Sequence, residues 1–429
     1  MSKTRVFEVS GEYYGGLAKT ADPDVRPAFV LRNEKIEVSA DGTLLQILEP
    51  AAERVQPACP HFEACGGCQY QMTDANEQGD IKRRVLLNEL HGAGIDFPTE
   101  IPVHLAQGYG YRNRIRLRVE RVGDVLRFGY NERGSTRFLA IEECPIAASV
   151  LWETAEALLR AAARDEDVAY WLSSASDVEL FANETLERVQ VTLSVAPRTK
   201  AKQGSIVRAL AAMQVDAPKI VGVGVLAVDP RIGPTGKTVA EAGAAGLVYR
   251  VLDEAYWIAR GGFFQVNRFL LPTLVELVTR ERRGGLAWDL FAGVGLFSRV
   301  LARSFDSVVA VESNARATAD NQAALKKIGP QHQAVAMTTV EFLRVAVTQR
   351  ERPELVVMDP PRAGAGVEAC ELLNRVGAPS MVYVSCDPVT LARDLAALRA
   401  KYEVRALHLV DLFPQTFHME TVVMLERRS

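Results

Sequence analysis

The stretch V-Y-V-S-C-D-P-V-T puts Cys386 where a sulfur can act as a nucleophile. An apolar run over residues 381–384 reads as a buried strand, and the pattern then breaks at Ser385-Cys386-Asp387-Pro388. A helical pattern follows from Val389 towards Lys401, with Asp387 suited to the cap and Pro388 to the first helical position. The thiol therefore sits between a strand end and a partly positive helix terminus, a field expected to favour thiolate. A small apolar filler is the alternative role for such a cysteine. Glu420, in F-P-Q-T-F-H-M-E-T-V-V-M-L at the start of the last strand, is a candidate base. Its alternative is an exposed strand-end glutamate, and His418 is a rival base. A nucleophilic sulfur with a base suits covalent catalysis, in which one difficult step is split into two.

These groups need a scaffold, and 429 residues are enough for two or three domains. A hydrophobic content of 48% and a charged content of 24% are ordinary for a soluble chain with a sizeable core. No apolar run approaches the ~18 residues that span a bilayer, and residues 1–20 lack the basic-then-apolar build of a secretory signal. A cytoplasmic location without membrane attachment is expected, where six cysteines suit ligands or catalysts better than disulfides. With a net charge of only −3, any nucleic-acid surface must come from basic residues gathered locally.

From residue 261 onward strands and helices alternate, with strands expected at 287–291, 307–312, 333–337, 355–359, 381–385, 405–411 and 421–425. That order predicts an α/β, doubly wound sheet with ligands gathered at the carboxyl ends of its strands. Residues 1–56 read as a small β-barrel with short strands at 6–9, 29–31, 35–38 and 44–48. Between them, residues 57–260 read as a central α+β domain, with a helix from about 76 to 91. There Y-R-N-R-I-R-L-R-V-E places Arg112, Arg114, Arg116 and Arg118 at alternate positions on one face of a strand. Guanidinium groups so spaced suit tracking phosphates, with a plain solvated sheet face as the alternative.

D-L-F-A-G-V-G-L-F, residues 289–297, joins the first strand of the doubly wound part to a helix. Gly293 and Gly295 permit a tight turn close to a ligand. Glu312 ends the next strand about twenty residues on, where an acid can accept bonds from ribose hydroxyls. Asp359 closes the fourth strand in L-V-V-M-D-P-P-R. The full G-x-G-x-x-G fingerprint and a Walker lysine are both absent. A nucleoside cofactor without a diphosphate fits best, with S-adenosylmethionine the candidate. Amino-nitrogen methyltransferases usually carry an aromatic residue where Arg362 stands. C5 of uracil is a poor nucleophile, but a thiolate added at C6 makes C5 enolate-like, able to take a methyl group; a base must then remove the C5 proton.

Q-V-N (residues 265–267), D-L-F-A-G-V-G, V-E-S-N, D-P-P-R-A-G, V-S-C-D-P and H-M-E-T-V, in this order, resemble the RNA uracil-5 methyltransferase family. The Gly15-Gly16-Leu17-Ala18 turn and E-R-V-Q-P extend the resemblance to an N-terminal barrel of the TRAM type, so it covers nearly the whole chain. The resemblance implies Cys386 as nucleophile and Glu420 as base, with Gln265, Phe291, Glu312 and Asp359 binding S-adenosylmethionine. Two positions depart from the family: Ala292 stands where cysteine is frequent, and Leu296 where a small polar residue is usual.

Cys59, Cys65 and Cys68 form C-x5-C-x2-C, and Cys144 lies apart in E-E-C-P-I. Four thiolates suit a tetrahedral zinc or a [4Fe–4S] cluster, and spacing does not decide between them. The resemblance implies a [4Fe–4S] cluster on these four positions, in a structural role. Cys370 is assigned to packing. The leading expectation is a monomeric C5-uridine methyltransferase acting on RNA, with 23S rRNA the favoured substrate. The alternatives are a tRNA uridine-54 enzyme, a C5-cytosine enzyme (which usually has cysteine where Pro361 stands) and a non-catalytic iron–sulfur RNA-binding assembly factor.

Overall fold

Apolar runs of four to nine residues, each closed by a polar or glycine break, build the catalytic sheet of the computed structural model. Residues 4–123, 125–200, 202–229 and 236–428 are described. The sheet has eight strands, in the spatial order Gln333–Ala336, Phe305–Glu312, Gly284–Leu290, Leu355–Met358, Ser380–Ser385, Glu420–Arg427, Tyr402–Val410 and Val103–His104. Glu420–Arg427 runs antiparallel to both neighbours, and the other pairings are parallel. All seven strands expected from residue 284 onward are present, each shifted by no more than about three residues, the usual drift at strand ends. Val103–His104 is an added edge. The order reverses between Gly284–Leu290 and Leu355–Met358, the switch point where doubly wound sheets open a crevice.

The chain divides into two compact units, and the division differs from the three segments read in the sequence. The first unit comprises residues 1–56, 72–106 and 270–429, and the second residues 57–71 and 107–269. The helix Ala75–Gly92 thus belongs with the catalytic sheet. It starts on Asp74, whose carboxylate accepts the backbone N–H groups of Asn76 and Glu77.

The N-terminal part of the first unit holds a three-stranded antiparallel sheet, Arg5–Glu8, Lys35–Val38 and Leu44–Glu49, and the hairpin Gly11–Tyr13/Leu17–Lys19. Val9, Ala18, Val25, Val30, Ile36 and Val38 form its core. Residues 29–31, expected as a strand, are not one. Phe29 takes φ 62°, which breaks extended pairing, and the Leu31 N–H donates to the Glu34 carboxylate at 2.7 Å instead of to a strand.

The second unit is built on a seven-stranded mixed sheet, ordered Lys237–Gly243, Ile220–Ala227, Val189–Val195, Ala175–Ala182, Arg114–Val122, Val125–Asn131 and Phe138–Ala140. Helices Ser149–Ala162, Glu166–Ser174 and Gln203–Asp216 supply the apolar side chains that complete its core. The hairpin Gly246–Val251/Glu254–Ala259 completes the unit's strands. Among the described residues no helix is long and apolar enough to cross a membrane.

Candidate active site and cysteine centre

Strand register brings the two reactive candidates together. Ser385 pairs with Thr421 across the antiparallel strands, and the Thr421 hydroxyl donates to the Ser385 carbonyl at 3.1 Å. Cys386 is one residue beyond that pair and Glu420 one residue before it, so the pairing sets them side by side. Met358 pairs with Tyr383 on the neighbouring strand, and Asp359 follows at the same carboxyl edge. Cys386 stands just before a helix that starts as its sequence dictates: Asp387 Oδ1 accepts the N–H groups of Val389 and Thr390, and Pro388 opens helix Pro388–Leu398.

The electrostatics of this edge differ from the expected thiolate. Burial, then the charges of Glu420, Asp359 and Asp387, push the Cys386 thiol up to about 12, and Arg362 opposes them only in part. Glu420 is wholly buried, and desolvation followed by repulsion from Asp359 raises its pKa well above the ordinary carboxylate range. Its Oε1 makes no hydrogen bond within the protein. Both shifts favour the protonated forms. The helix terminus that the sequence reveals is set against burial of the thiol, the largest effect, to which the neighbouring carboxylates add.

The loop after Asp359 is fastened from behind. Buried Asp394 accepts the Tyr383 hydroxyl at 2.7 Å and the Ala365 N–H at 2.7 Å, and the Thr390 hydroxyl donates to the Arg362 carbonyl at 3.0 Å. Arg362 is exposed and bonds the His418 ring. The ring of Tyr14, from the N-terminal hairpin's turn, meets Phe417 edge-on at 5.4 Å. Its hydroxyl faces Asp387 and Arg362 without an aligned hydrogen bond to either. Sequence patterns gave no sign of Tyr14 or Asp394, because single polar residues in apolar runs carry no periodicity.

At the switch point, Phe291 (φ 61°), Gly293 (φ 53°) and Gly295 (φ 88°) bend the chain sharply between strand and helix. A Cβ on Gly295 would lie 2.0 Å from Asn321 Oδ1, so only glycine fits there. The Glu312 carboxylate accepts the Gly293 N–H at 3.0 Å and the Asn314 N–H at 2.6 Å. Oε1 also accepts the Ser313 hydroxyl at 3.3 Å, while Oε2 keeps a second lone pair for a ligand hydroxyl. Asp289, another residue the sequence did not single out, is fully buried and takes the Ser298 N–H at 2.8 Å. Desolvation pushes it up to about 7. Phe291, Glu312 and Asp359 thus line one carboxyl edge, a set with the acids and backbone turn that a nucleoside requires. Gln265 belongs to the second unit, buried, with its carbonyl accepting the Asn113 amide at 3.1 Å.

In the second unit, Cys59, Cys65, Cys68 and Cys144 sit close enough for their thiols to act on one another electrostatically. Among the described residues no three His, Cys, Asp or Glu side chains converge on a single metal-ion position. The surroundings of the four sulfurs are rich in donors. Gly67 N–H reaches Cys65 Sγ at 3.4 Å and the Tyr130 hydroxyl reaches Cys144 Sγ at 3.8 Å. Arg112 lowers the thiols of Cys68 and Cys144 against the larger effect of burial. Donors and a cation around four sulfurs fit an anionic thiolate-held group. Cys370 is fully buried in the other unit's core.

From Arg114 onward the arginine row alternates as expected, with Ile115, Leu117 and Val119 buried on the opposite face, whereas Arg112 precedes the strand Arg114–Val122. Its guanidinium groups, however, have partners inside the protein. Arg114 donates to the Gly262 carbonyl at 2.7 Å and lies over the Phe181 ring, and Arg116 pairs with Glu179 at 2.9 Å. Arg118 bonds Asn131 at 2.6 Å, and Arg112 reaches the Tyr111 hydroxyl. The reason is register: Glu179 lies directly opposite Arg116 on the next strand, a partner invisible to local sequence.

A family model described as tRNA (Uracil-5-)-methyltransferase matches residues 245–428. An uncharacterized RNA methyltransferase of Streptomyces coelicolor is 32% identical over 408 residues, covering 89% of this chain and 81% of its own. The 23S rRNA (uracil(1939)-C(5))-methyltransferase RlmD of Chromohalobacter salexigens is 30% identical over 446 residues, covering 96% of this chain and 87% of its own. Among solved structures, the Pyrococcus abyssi tRNA (uracil-54, C5)-methyltransferase in complex with S-adenosyl-L-homocysteine shares the fold. Its TM-score is 0.74 at 21% identity, over 98% of this chain and 100% of that one. The chain thus belongs to the RNA uracil-5 methyltransferase family, S-adenosylmethionine-dependent enzymes that methylate C5 of uracil in RNA.

Proposed function

We propose that this enzyme methylates one uridine of 23S rRNA at C5 through a transient bond between Cys386 Sγ and C6 of the base. The observation that carries the chemistry is the Ser385–Thr421 register, which sets Cys386 against Glu420. In this reading the Cys386 thiol and the Glu420 carboxyl release their protons to solvent as the flipped uridine docks, and the sulfur adds to C6. The electron pair released onto C5 would form the new bond to the methyl carbon as that carbon's bond to the sulfonium sulfur breaks, its electron pair leaving with S-adenosylhomocysteine. Glu420, by then ionised, takes the C5 proton, the C6–S bond breaks, and the thiolate leaves with its electron pair. In-stack chemistry at C5 and C6 is sterically implausible, so the base must leave its helix or come from a loop.

Phe291, Glu312, Asp359 and Gln265 are the residues proposed to hold the cofactor, with Glu312 at the ribose hydroxyls. Cys59, Cys65, Cys68 and Cys144 are proposed to hold a [4Fe–4S] cluster. Its role would be structural, tying residues 57–71 to the strands around Tyr130. The hydrogen bond from Arg133 N–H to the Ala64 carbonyl, at 2.9 Å, runs along the same seam.

The ribosomal substrate is supported by relatives of RlmD type that align along nearly the whole chain. Mapping 5-methyluridine in ribosomal and transfer RNA from a deletion strain tests it. One 23S uridine should lose its methyl group while transfer RNA is unchanged. Loss confined to transfer RNA would overturn the substrate assignment.

A further inference from the structure

Glu420 presents a carboxylate whose Oε1 has no hydrogen-bond partner within the protein. A base must keep its oxygen available for a proton, so its aim has to come from the backbone that delivers it. That backbone arrives through residues 411–419, a stretch carrying no regular strand or helix. Two buried side chains of helix Ala75–Gly92 grip this segment from more than 300 residues away in sequence.

Lys82, with a fully buried side chain, donates from Nζ to Asp411 Oδ1 at 2.6 Å and to the Phe413 carbonyl at 3.0 Å. Gln78 is also fully buried and makes a reciprocal pair with Gln415. Its Nε2 donates to Gln415 Oε1 at 3.0 Å, and its Oε1 accepts the Gln415 N–H at 2.8 Å. Gln415 is held at φ 69°, a conformation that a non-glycine residue keeps only when its surroundings impose it. Five residues later comes Glu420.

A buried lysine–aspartate pair is a poor way to gain stability, since apolar replacements of the same volume are often as good. What the pair does supply is direction, because the ammonium donates to two fixed oxygens of the segment while the Gln78 amide both donates to it and accepts from it. We propose that Gln78 and Lys82 are positioning residues for the methyl-transfer reaction, aiming Glu420 at the C5 proton by fixing the loop that precedes it. This rests on Glu420 being the base.

The test uses the full-length enzyme, methyl-labelled S-adenosylmethionine and total RNA from the deletion strain. Gln78→Met and Lys82→Met are compared with Glu420→Gln on denaturing gels, alongside thermal melts that measure the folded fraction. A misaimed base slows proton removal but not sulfur addition or methyl transfer. Labelled protein–RNA adduct should therefore accumulate in both variants while 5-methyluridine release falls about ten- to a hundredfold, the cost of roughly ångström misplacement. A purely structural role would lower adduct and product together, in proportion to the folded fraction. That result, with Glu420→Gln still trapping adduct, overturns the positioning role and leaves the base intact. If Glu420→Gln traps none and turns over normally, the base assignment falls and this inference with it.

Discussion

Two cysteine environments in this chain show how differently one atom can be prepared. Cys386 faces Glu420, Asp359 and Asp387, with Arg362 as the opposing charge, and its thiol is pushed up to about 12. The four cysteines of the second unit meet peptide N–H groups, the Tyr130 hydroxyl and Arg112. Acids around a thiol keep it neutral until a substrate changes the balance, which suits a transient bond. Burial raises the four thiols too, Cys68 to about 12, but the donors and the cation beside them are placed to hold sulfur as an anion once a bound group displaces its protons, which suits a permanent ligand.

The comparison breaks most sharply at the sulfurs themselves. Cys386→Ala should cut turnover by at least about 10⁴-fold, as expected for loss of a covalent nucleophile, while S-adenosylmethionine binding by calorimetry stays within twofold or so. Wild-type turnover in that variant would remove the nucleophile. Cys144→Ala should do the reverse. Iron content measured after anaerobic purification should collapse, and folding stability should fall by about 4 kcal/mol or more, in the range typical of a lost metal ligand. Colourless wild-type protein containing zinc and no iron would contradict the cluster.

The contrast between these sites was only half legible in the sequence. The seven strands from residue 284 onward were readable because each is an apolar run with a clear stop, and the cap at Asp387 because capping is local. The state of Cys386 was not. Its helix terminus lies beside it in sequence, whereas the burial that raises the thiol most, and the nearby Glu420 and Asp359, come only from strand pairing and packing. The same limit hid Lys82, Gln78, Asp394 and Tyr14. Each is one polar or aromatic residue with a partner on a different element of the fold. The expected strand at 29–31 failed in the opposite way: its composition suits a strand, but Glu34 satisfies the Leu31 N–H.

The raised thiol has a kinetic consequence with a definite sign. A pKa above the working pH means that the reactive thiolate is scarce and grows as pH rises. Single-turnover formation of the protein–RNA adduct should therefore increase by about tenfold per pH unit across pH 6 to 8. Glu420 is raised too, by burial and then by Asp359, so release of product should speed up at higher pH than an ordinary carboxylate base would give. Arg362→Met removes a cation that lowers the thiol and should move the rising limb to higher pH. A flat profile in the wild-type enzyme would mean that substrate docking sets the proton state entirely.

The smallest effects separate neighbours on the arginine strand. Arg114 and Arg116 share one face and one carboxylate, Glu179, yet Arg114 is 13% exposed and Arg116 53%. Arg114 also holds the Gly262 carbonyl and covers Phe181, so Arg114→Ala leaves a buried acceptor and a ring face without a partner. A loss of about 2–3 kcal/mol in denaturant unfolding is expected. Arg116→Ala breaks only a half-exposed ion pair and should cost less than about 1 kcal/mol. Its guanidinium is nevertheless the more accessible of the two, and a phosphate can compete with Glu179 for it. If it makes one phosphate contact, Arg116→Ala should lower the slope of log affinity against log salt by about one. An unchanged slope would confine Arg116 to its ion pair and leave the row as internal scaffolding.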